Sequence, residues 1–145
     1  MKIAIGSDHG GYKLKEKVIA YLKGAGHRVK DFGCYDQESC DYPLFARSVA
    51  RAVADGKAAR GVLICTTGVG MAIAANKIAG VRAAVLPTEA IALSSREHND
   101  CNVAVFGAKF MTPAKTRSIL ALWLTTRALG GRHRRRVRLI KQLEG

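Results

Sequence analysis

Hydrophobic and polar positions along this chain follow two alternating rhythms. Short apolar runs at Lys2–Gly6, His27–Phe32, Gly61–Cys65, Arg82–Leu86 and Asn102–Phe106 read as strands. Between them, apolar residues recur at helical spacing. Tyr12, Leu14, Val18, Ile19 and Leu22 predict a helix over Tyr12–Leu22, which Gly24 and Gly26 stop. Tyr42–Ala54 reads as a second helix, with Pro43 in the first turn, where its missing N–H is tolerated. The alanine-rich Gly70–Ile78 predicts a helix lying close on a sheet. Thr88–Glu97 and Pro113–Ala128 predict two more, the last capped by Thr112. Gly130-Gly131 then interrupts the chain before a final basic helix over about 131–144.

Strand and helix alternate throughout, which predicts an α/β fold: a three-layer α/β/α sandwich around a five-stranded parallel sheet, Rossmann-like, in one domain over 1–145. Sheets of this kind bind ligands at the carboxyl ends of their strands. The polar groups are expected to gather there. Asp8-His9-Gly10-Gly11 follows the first strand and Cys65-Thr66-Thr67-Gly68 the third. His98-Asn99-Asp100 precedes the fifth strand and Lys109 follows it. All are placed at this end.

Composition narrows the class. No apolar run reaches the roughly 18 to 20 residues of a membrane span. The first residues read directly as a strand, without a signal-peptide pattern, which predicts a cytoplasmic protein with reduced thiols. Cys34, Cys40, Cys65 and Cys101 form no CxxC pair and no zinc-type spacing, so neither a metal nor a cofactor is expected. The formal net charge of +13 is uneven, with Arg127, Arg132, Arg134, Arg135, Arg136, Arg138 and Lys141 crowding the end. Such a run suits nucleic acid, the phosphate of a small substrate, or a solvated helix face. No nucleic-acid-binding motif accompanies it, and aromatic residues are not interleaved with the basic ones as stacking would need. A basic nucleic-acid-binding protein therefore stands only as the non-enzymatic alternative.

Four places carry candidate chemistry. Cys65 ends an apolar strand where hydroxyls, glycines and a helix start follow. A thiolate and an oxyanion are both stabilised in such a turn, although a buried structural cysteine fits the same pattern. Asp8 and His9 offer sugar-hydroxyl and anion contacts, or Asp8 simply caps a helix. His98 and Asn99 are an acid/base pair or a helix C-terminal cap. Arg132 and Arg136 lie four residues apart on one helix face, as a phosphate clamp or a solvated face. Together these groups suit proton transfer next to a carbonyl on a phosphorylated substrate.

With these motifs in place, the chain resembles the B-type ribose-5-phosphate isomerases, a family that also includes the galactose-6-phosphate isomerase subunits. The likeness runs nearly end to end through Gly6-Ser7-Asp8-His9-Gly10-Gly11, Asp41-Tyr42-Pro43, Cys65-Thr66-Thr67-Gly68-Val69-Gly70-Met71, Ile73-Ala74-Ala75-Asn76-Lys77, Gly80-Val81-Arg82-Ala83-Ala84, His98-Asn99-Asp100-Cys101-Asn102-Val103, and Gly131-Arg132-His133 with Arg136-Val137. The resemblance implies an aldose–ketose isomerase working through a cis-enediolate without metal or cofactor. Carried over, it makes Cys65 the base between C1 and C2, His98 the ring-opening group, and Thr67 an aid to proton movement at the oxygens. Asp8, Tyr42 and Asn99 would contact the sugar, and His9, Arg132 and Arg136 the phosphate. The N–H groups of Gly68, Val69, Gly70 and Met71 would hold the enediolate. It further implies a homodimer with shared sites, whose last helix crosses to the partner, with tetramers in some members. Ribose 5-phosphate is the expected substrate, with four-carbon erythrose or erythrulose phosphate and six-carbon allose or galactose phosphate as alternatives.

Three positions depart from the family pattern. Thr66 replaces the first glycine of Cys-Gly-Thr-Gly, and a β-branched residue there is expected to limit the turn and crowd the pocket. Ala72 replaces a common serine. Lys109 replaces an arginine that touches phosphate in some members, keeping the charge without the fork.

Overall fold

The computed structural model describes all residues, Met1–Gly145. The long apolar runs become the centre of a sheet. Strands β1 (Lys2–Ser7), β3 (Arg60–Cys65) and β5 (Val103–Gly107) are buried over nearly their whole length. Continuous rather than alternating burial is what a parallel strand covered on both faces requires. The polar-alternating β2 (Arg28–Asp31) and the short β4 (Ala83–Val85) take the two edges. All pairings are parallel, in the order β2-β1-β3-β5-β4. The α/β sandwich and its five-stranded parallel sheet are therefore as the pattern predicts.

Helices cover both faces. On one, Leu14, Val18 and Leu22 of α1 (Tyr12–Gly24), Ala92 of α4 (Glu89–Glu97) and Ile119, Leu120 and Trp123 of α5 (Pro113–Thr125) pack on Ile3, Ile5, Val62, Ile64 and Phe106. On the other, Ala46, Val49, Ala50 and Val53 of α2 (Tyr42–Ala54) and Met71 and Ala75 of α3 (Val69–Ala75) meet Ala4, Leu63, Cys65, Val103 and Val105. The small residues of α2 and α3 let these helices lie close on the strands. The cap foreseen at Thr112 is present, its hydroxyl accepting the Lys115 N–H at 3.1 Å.

Two helices end earlier than their patterns run. The helix expected over Gly70–Ile78 begins at Val69 and stops at Ala75. The Asn76 side chain leaves it to pair with β4, Oδ1 accepting the Ala83 N–H at 2.8 Å and Nδ2 donating to the Ala83 carbonyl at 2.9 Å. The helix expected to reach Ala128 stops at Thr125. There Thr126 turns to extended backbone, φ −84° and ψ 131°, while the Thr125 and Thr126 hydroxyls donate back to the Ala121 and Leu122 carbonyls of the last turn. The chain then ties the Leu129 N–H to the Glu97 carbonyl and enters α6 (Arg132–Gln142). This last helix buries Val137 and stacks His133 on His98, with ring centroids 4.3 Å apart and planes 8° from parallel. Its remaining side chains stay on the surface.

Candidate active site

The order of strands fixes where a site forms. The chain leaves β1 toward one edge and returns to the other side of β1 as β3, so the connections diverge between these two neighbours. A crevice opens at such a switch point, at the carboxyl ends. Asp8 and Cys65-Thr66 sit on its two lips, joined by the Asp8 N–H donating to the Ile64 carbonyl at 3.2 Å.

On the β1 side, Asp8 is buried and caps the 3₁₀ turn His9–Gly11, its Oδ1 accepting the Gly11 N–H at 3.0 Å. Capping and ligand recognition are thus compatible here, because Oδ2 is not used by the cap. His9 Nδ1 accepts the Cys40 N–H at 3.3 Å, which leaves Nε2 as the donor of the neutral ring. The base of this lip is held by Lys15. Its fully buried ammonium lies 2.7 Å from Asp31 Oδ1 and 2.6 Å from the Cys34 carbonyl. No sequence rhythm marks Lys15 as different from its exposed neighbours on the same helix.

On the β3 side, the Cys65 thiol is buried and its Sγ accepts the Gly68 N–H at 3.1 Å. Gly68 has φ of 84°, which a side chain would strain, and its Cα lies against the β5 backbone. Thr67 Oγ1 accepts the Val69 N–H at 3.3 Å. Of the four N–H groups expected to face an oxyanion, those of Gly68 and Val69 are therefore already engaged. Those of Gly70 and Met71, in the first turn of α3, have no partner within the protein. Tyr42 leans over this turn: a Cβ at Gly70 would meet the Tyr42 ring at 2.6 Å and its hydroxyl at 2.9 Å. Lys109, on the 3₁₀ turn after β5, donates its N–H to the Thr66 carbonyl at 3.0 Å. The turn at 66 accepts threonine without strain, since Asp100 is the one non-glycine residue with positive φ. The expected limit on the turn is absent.

The structure corrects the placement of the remaining groups. His98, Asn99 and Asp100 end α4 and lead into the amino end of β5. β5 pairs with β3 from Gly61↔Val103 to Cys65↔Gly107, so about 13 Å of strand separates that end from the Cys65 end. Arg132 and Arg136, on α6, share this opposite end through the His98–His133 stack. A residue that precedes a strand stands at its amino end, and these groups follow that rule. One chain thus carries two half-sets. Cys65, Thr67, Gly68, Val69, Gly70, Met71, Asp8, His9, Tyr42 and Lys109 lie at the carboxyl ends, and His98, Asn99, Arg132 and Arg136 at the amino ends.

His98 and Asn99 also serve locally. His98 caps α4, and the Asn99 carbonyl accepts the Arg82 Nε–H at 3.1 Å. His133, stacked on His98, has its pKa lowered, chiefly by desolvation and then by the charges of His98, Arg132 and Arg136. Burial pushes the Cys101 thiol up to about 11, which leaves it protonated and inert at neutral pH. No group of three or more His, Cys, Asp or Glu side chains is arranged to hold a metal ion, and no helix is long and apolar enough to cross a membrane.

A family model described as Ribose/Galactose Isomerase matches residues 3–140. The chain belongs to the ribose/galactose isomerase family. As a member it is a sugar phosphate isomerase. It is 46% identical to ribose-5-phosphate isomerase B of Escherichia coli, over 99% of this chain and 96% of that protein. The solved structure of ribose-5-phosphate isomerase B from Clostridium thermocellum superposes with a TM-score of 0.98 at 47% identity, covering 99% of this chain and 97% of that one. A third relative, 38% identical over 90% of this chain and 87% of its own length, is the D-erythrulose-4-phosphate isomerase of Pectobacterium atrosepticum. Membership in the family thus spans more than one sugar phosphate.

Proposed function

We propose that this isomerase interconverts ribose 5-phosphate and ribulose 5-phosphate through a cis-enediolate, in a site completed by a second copy of the chain. The observation that carries the chemistry is the Cys65 sulfur. It ends β3 at the switch point, accepts one backbone N–H, and stands beside two more that have no partner. As thiolate, Cys65 removes the proton from C2 of the open-chain aldose. The electron pair forms the C1–C2 double bond and charge passes to O1, which the Gly70 and Met71 N–H groups hold. The Thr67 hydroxyl relays the O2 proton to O1. The thiol returns its proton to C1 and C2 becomes the ketose carbonyl. No proton is gained or lost overall.

The remaining roles follow from position. Asp8 Oδ2 and the Tyr42 hydroxyl contact the sugar hydroxyls, and His9 Nε2–H and Lys109 meet the phosphate. His98, with Asn99, assists opening of the furanose ring, and Arg132 and Arg136 clamp the phosphate, all four coming from the partner. Exposed apolar residues support that docking. Val69 and Ile73 on α3 are 56% and 59% exposed beside the Cys65 half, while Leu139 and Ile140 on α6 and Leu143 just after it are exposed beside the His98 half. A two-fold axis would bring each half against its complement twice. Further pairing of such dimers would give a tetramer. Four-carbon substrates form the second reading, favoured by the bulk of Thr66 in the crevice, and six-carbon ones follow from the family's range.

Arg136→Ala tests the phosphate clamp. It is expected to raise KM for ribose 5-phosphate about 10- to 100-fold with kcat within about threefold, because a charge-assisted contact made equally in ground and transition states is lost. Steady-state kinetics read both constants. An unchanged KM would leave α6 a solvated basic face.

A further inference from the structure

Thr66 stands between the two lips of the crevice. Its backbone is fixed, with the carbonyl bound by the Lys109 N–H at 3.0 Å and Cys65, in register with Gly107, immediately before it. Its side chain reaches across to the β1 loop and occupies the space above Gly10. A Cβ at Gly10 would overlap Thr66 Oγ1 and lie 3.3 Å from Asp8 Oδ1. Gly10 and Thr66 are therefore complementary: the missing side chain of one makes room for the other. The Gly10 backbone thus blocks the threonine from moving toward the β1 loop. Thr66 is exposed to solvent.

We propose that Thr66 sets the chain-length limit of the substrate. This rests on the isomerase reading, in which Cys65 acts on C1 and C2 while His9 helps to hold the phosphate. Thr66 follows Cys65 directly and covers the loop that carries His9, so the carbons between reaction centre and phosphate pass over it. With both ends of the substrate anchored, each added carbon must bow out of the straight path. The branched side chain fills the room for that bow on the crevice floor. Shorter sugar phosphates are favoured and longer ones excluded by volume, not by loss of a hydrogen bond.

The test is kcat/KM for four-, five- and six-carbon aldose phosphates, measured on the unaltered protein, Thr66→Gly and Thr66→Val. Ratios between substrates cancel any change in folded fraction. Thr66→Gly is expected to raise the six-carbon to four-carbon ratio by roughly tenfold or more, the scale on which one side-chain group in a pocket discriminates. Thr66→Val, which keeps the bulk and loses the hydroxyl, is expected to retain the original ratio within about threefold. In Thr66→Gly, Gly10→Ala is expected to return the ratio toward its starting value, because the new methyl group refills the same space. Unchanged ratios in Thr66→Gly, or a glycine variant still blind to six-carbon substrates, would place the limit elsewhere. A valine variant behaving like glycine would overturn the volume account in favour of the hydroxyl. Failure of the unaltered protein on every sugar phosphate would instead remove the isomerase reading itself, and the Thr66 proposal with it.

Discussion

Replacing Cys65 by serine is expected to lower kcat on ribose 5-phosphate by at least about a thousandfold while KM stays within a few-fold. A serine oxygen fits the buried space and accepts the Gly68 N–H as the sulfur does. It is a far weaker acid than a thiol, so the anionic base is absent near neutral pH. The loss therefore falls on the chemical step and not on binding. Steady-state kinetics separate the two, and a thermal melt checks the fold, since Cys65 also belongs to the core layer with Leu63 and Met71. Turnover that survives the substitution would remove Cys65 from the mechanism and return it to the role of a buried structural thiol.

The second large effect is a recovery. If the site is shared as proposed, the Cys65→Ser and His98→Asn variants are each expected to be strongly impaired when measured alone. Mixed and allowed to exchange subunits, they are expected to regain about a quarter of the normal activity: half the dimers become hybrids, and each hybrid has one intact site of two. This follows from the register of β3 and β5, which puts Cys65 and His98 at opposite ends of one sheet. A site contained within one chain gives no recovery, because every chain then carries a defective site. The mixing experiment thus tests the proposed sharing directly, with each variant alone as its control.

Much of this architecture was legible in the amino-acid pattern. Ile3-Ala4-Ile5, Val62-Leu63-Ile64 and Val103-Ala104-Val105-Phe106 are apolar without alternation, as central parallel strands must be. The loops after the first and third strands were equally plain, since glycines and chemistry-bearing residues stand together there. Helix ends were less so. Side-chain hydrogen bonds of Asn76, Thr125 and Thr126 accompany those ends, and periodicity does not encode them.

The greatest difference concerns His98. Spacing shows that it lies next to a strand, and its order in the chain, before Val103, places it at the amino end. The direction of the chain, not the clustering of polar motifs, therefore decides the end at which His98 stands. The four-donor anion hole was also too generous, because Cys65 and Thr67 turn back on the N–H groups of Gly68 and Val69. The fit of Thr66 over Gly10 joins residues far apart in the chain, and only the pairing of β1 with β3 reveals it.

The most direct test of the central claim is isomerisation of ribose 5-phosphate in deuterium oxide with excess chelator, followed by proton NMR for the unaltered protein and Cys65→Ser. The account predicts ribulose 5-phosphate, with deuterium at C1 only to the extent that the Cys65 thiol exchanges with solvent before returning its proton, formed at an undiminished rate in the chelator and abolished in the serine variant. Product formed without Cys65, activity lost to the chelator, or no turnover of ribose 5-phosphate would contradict it.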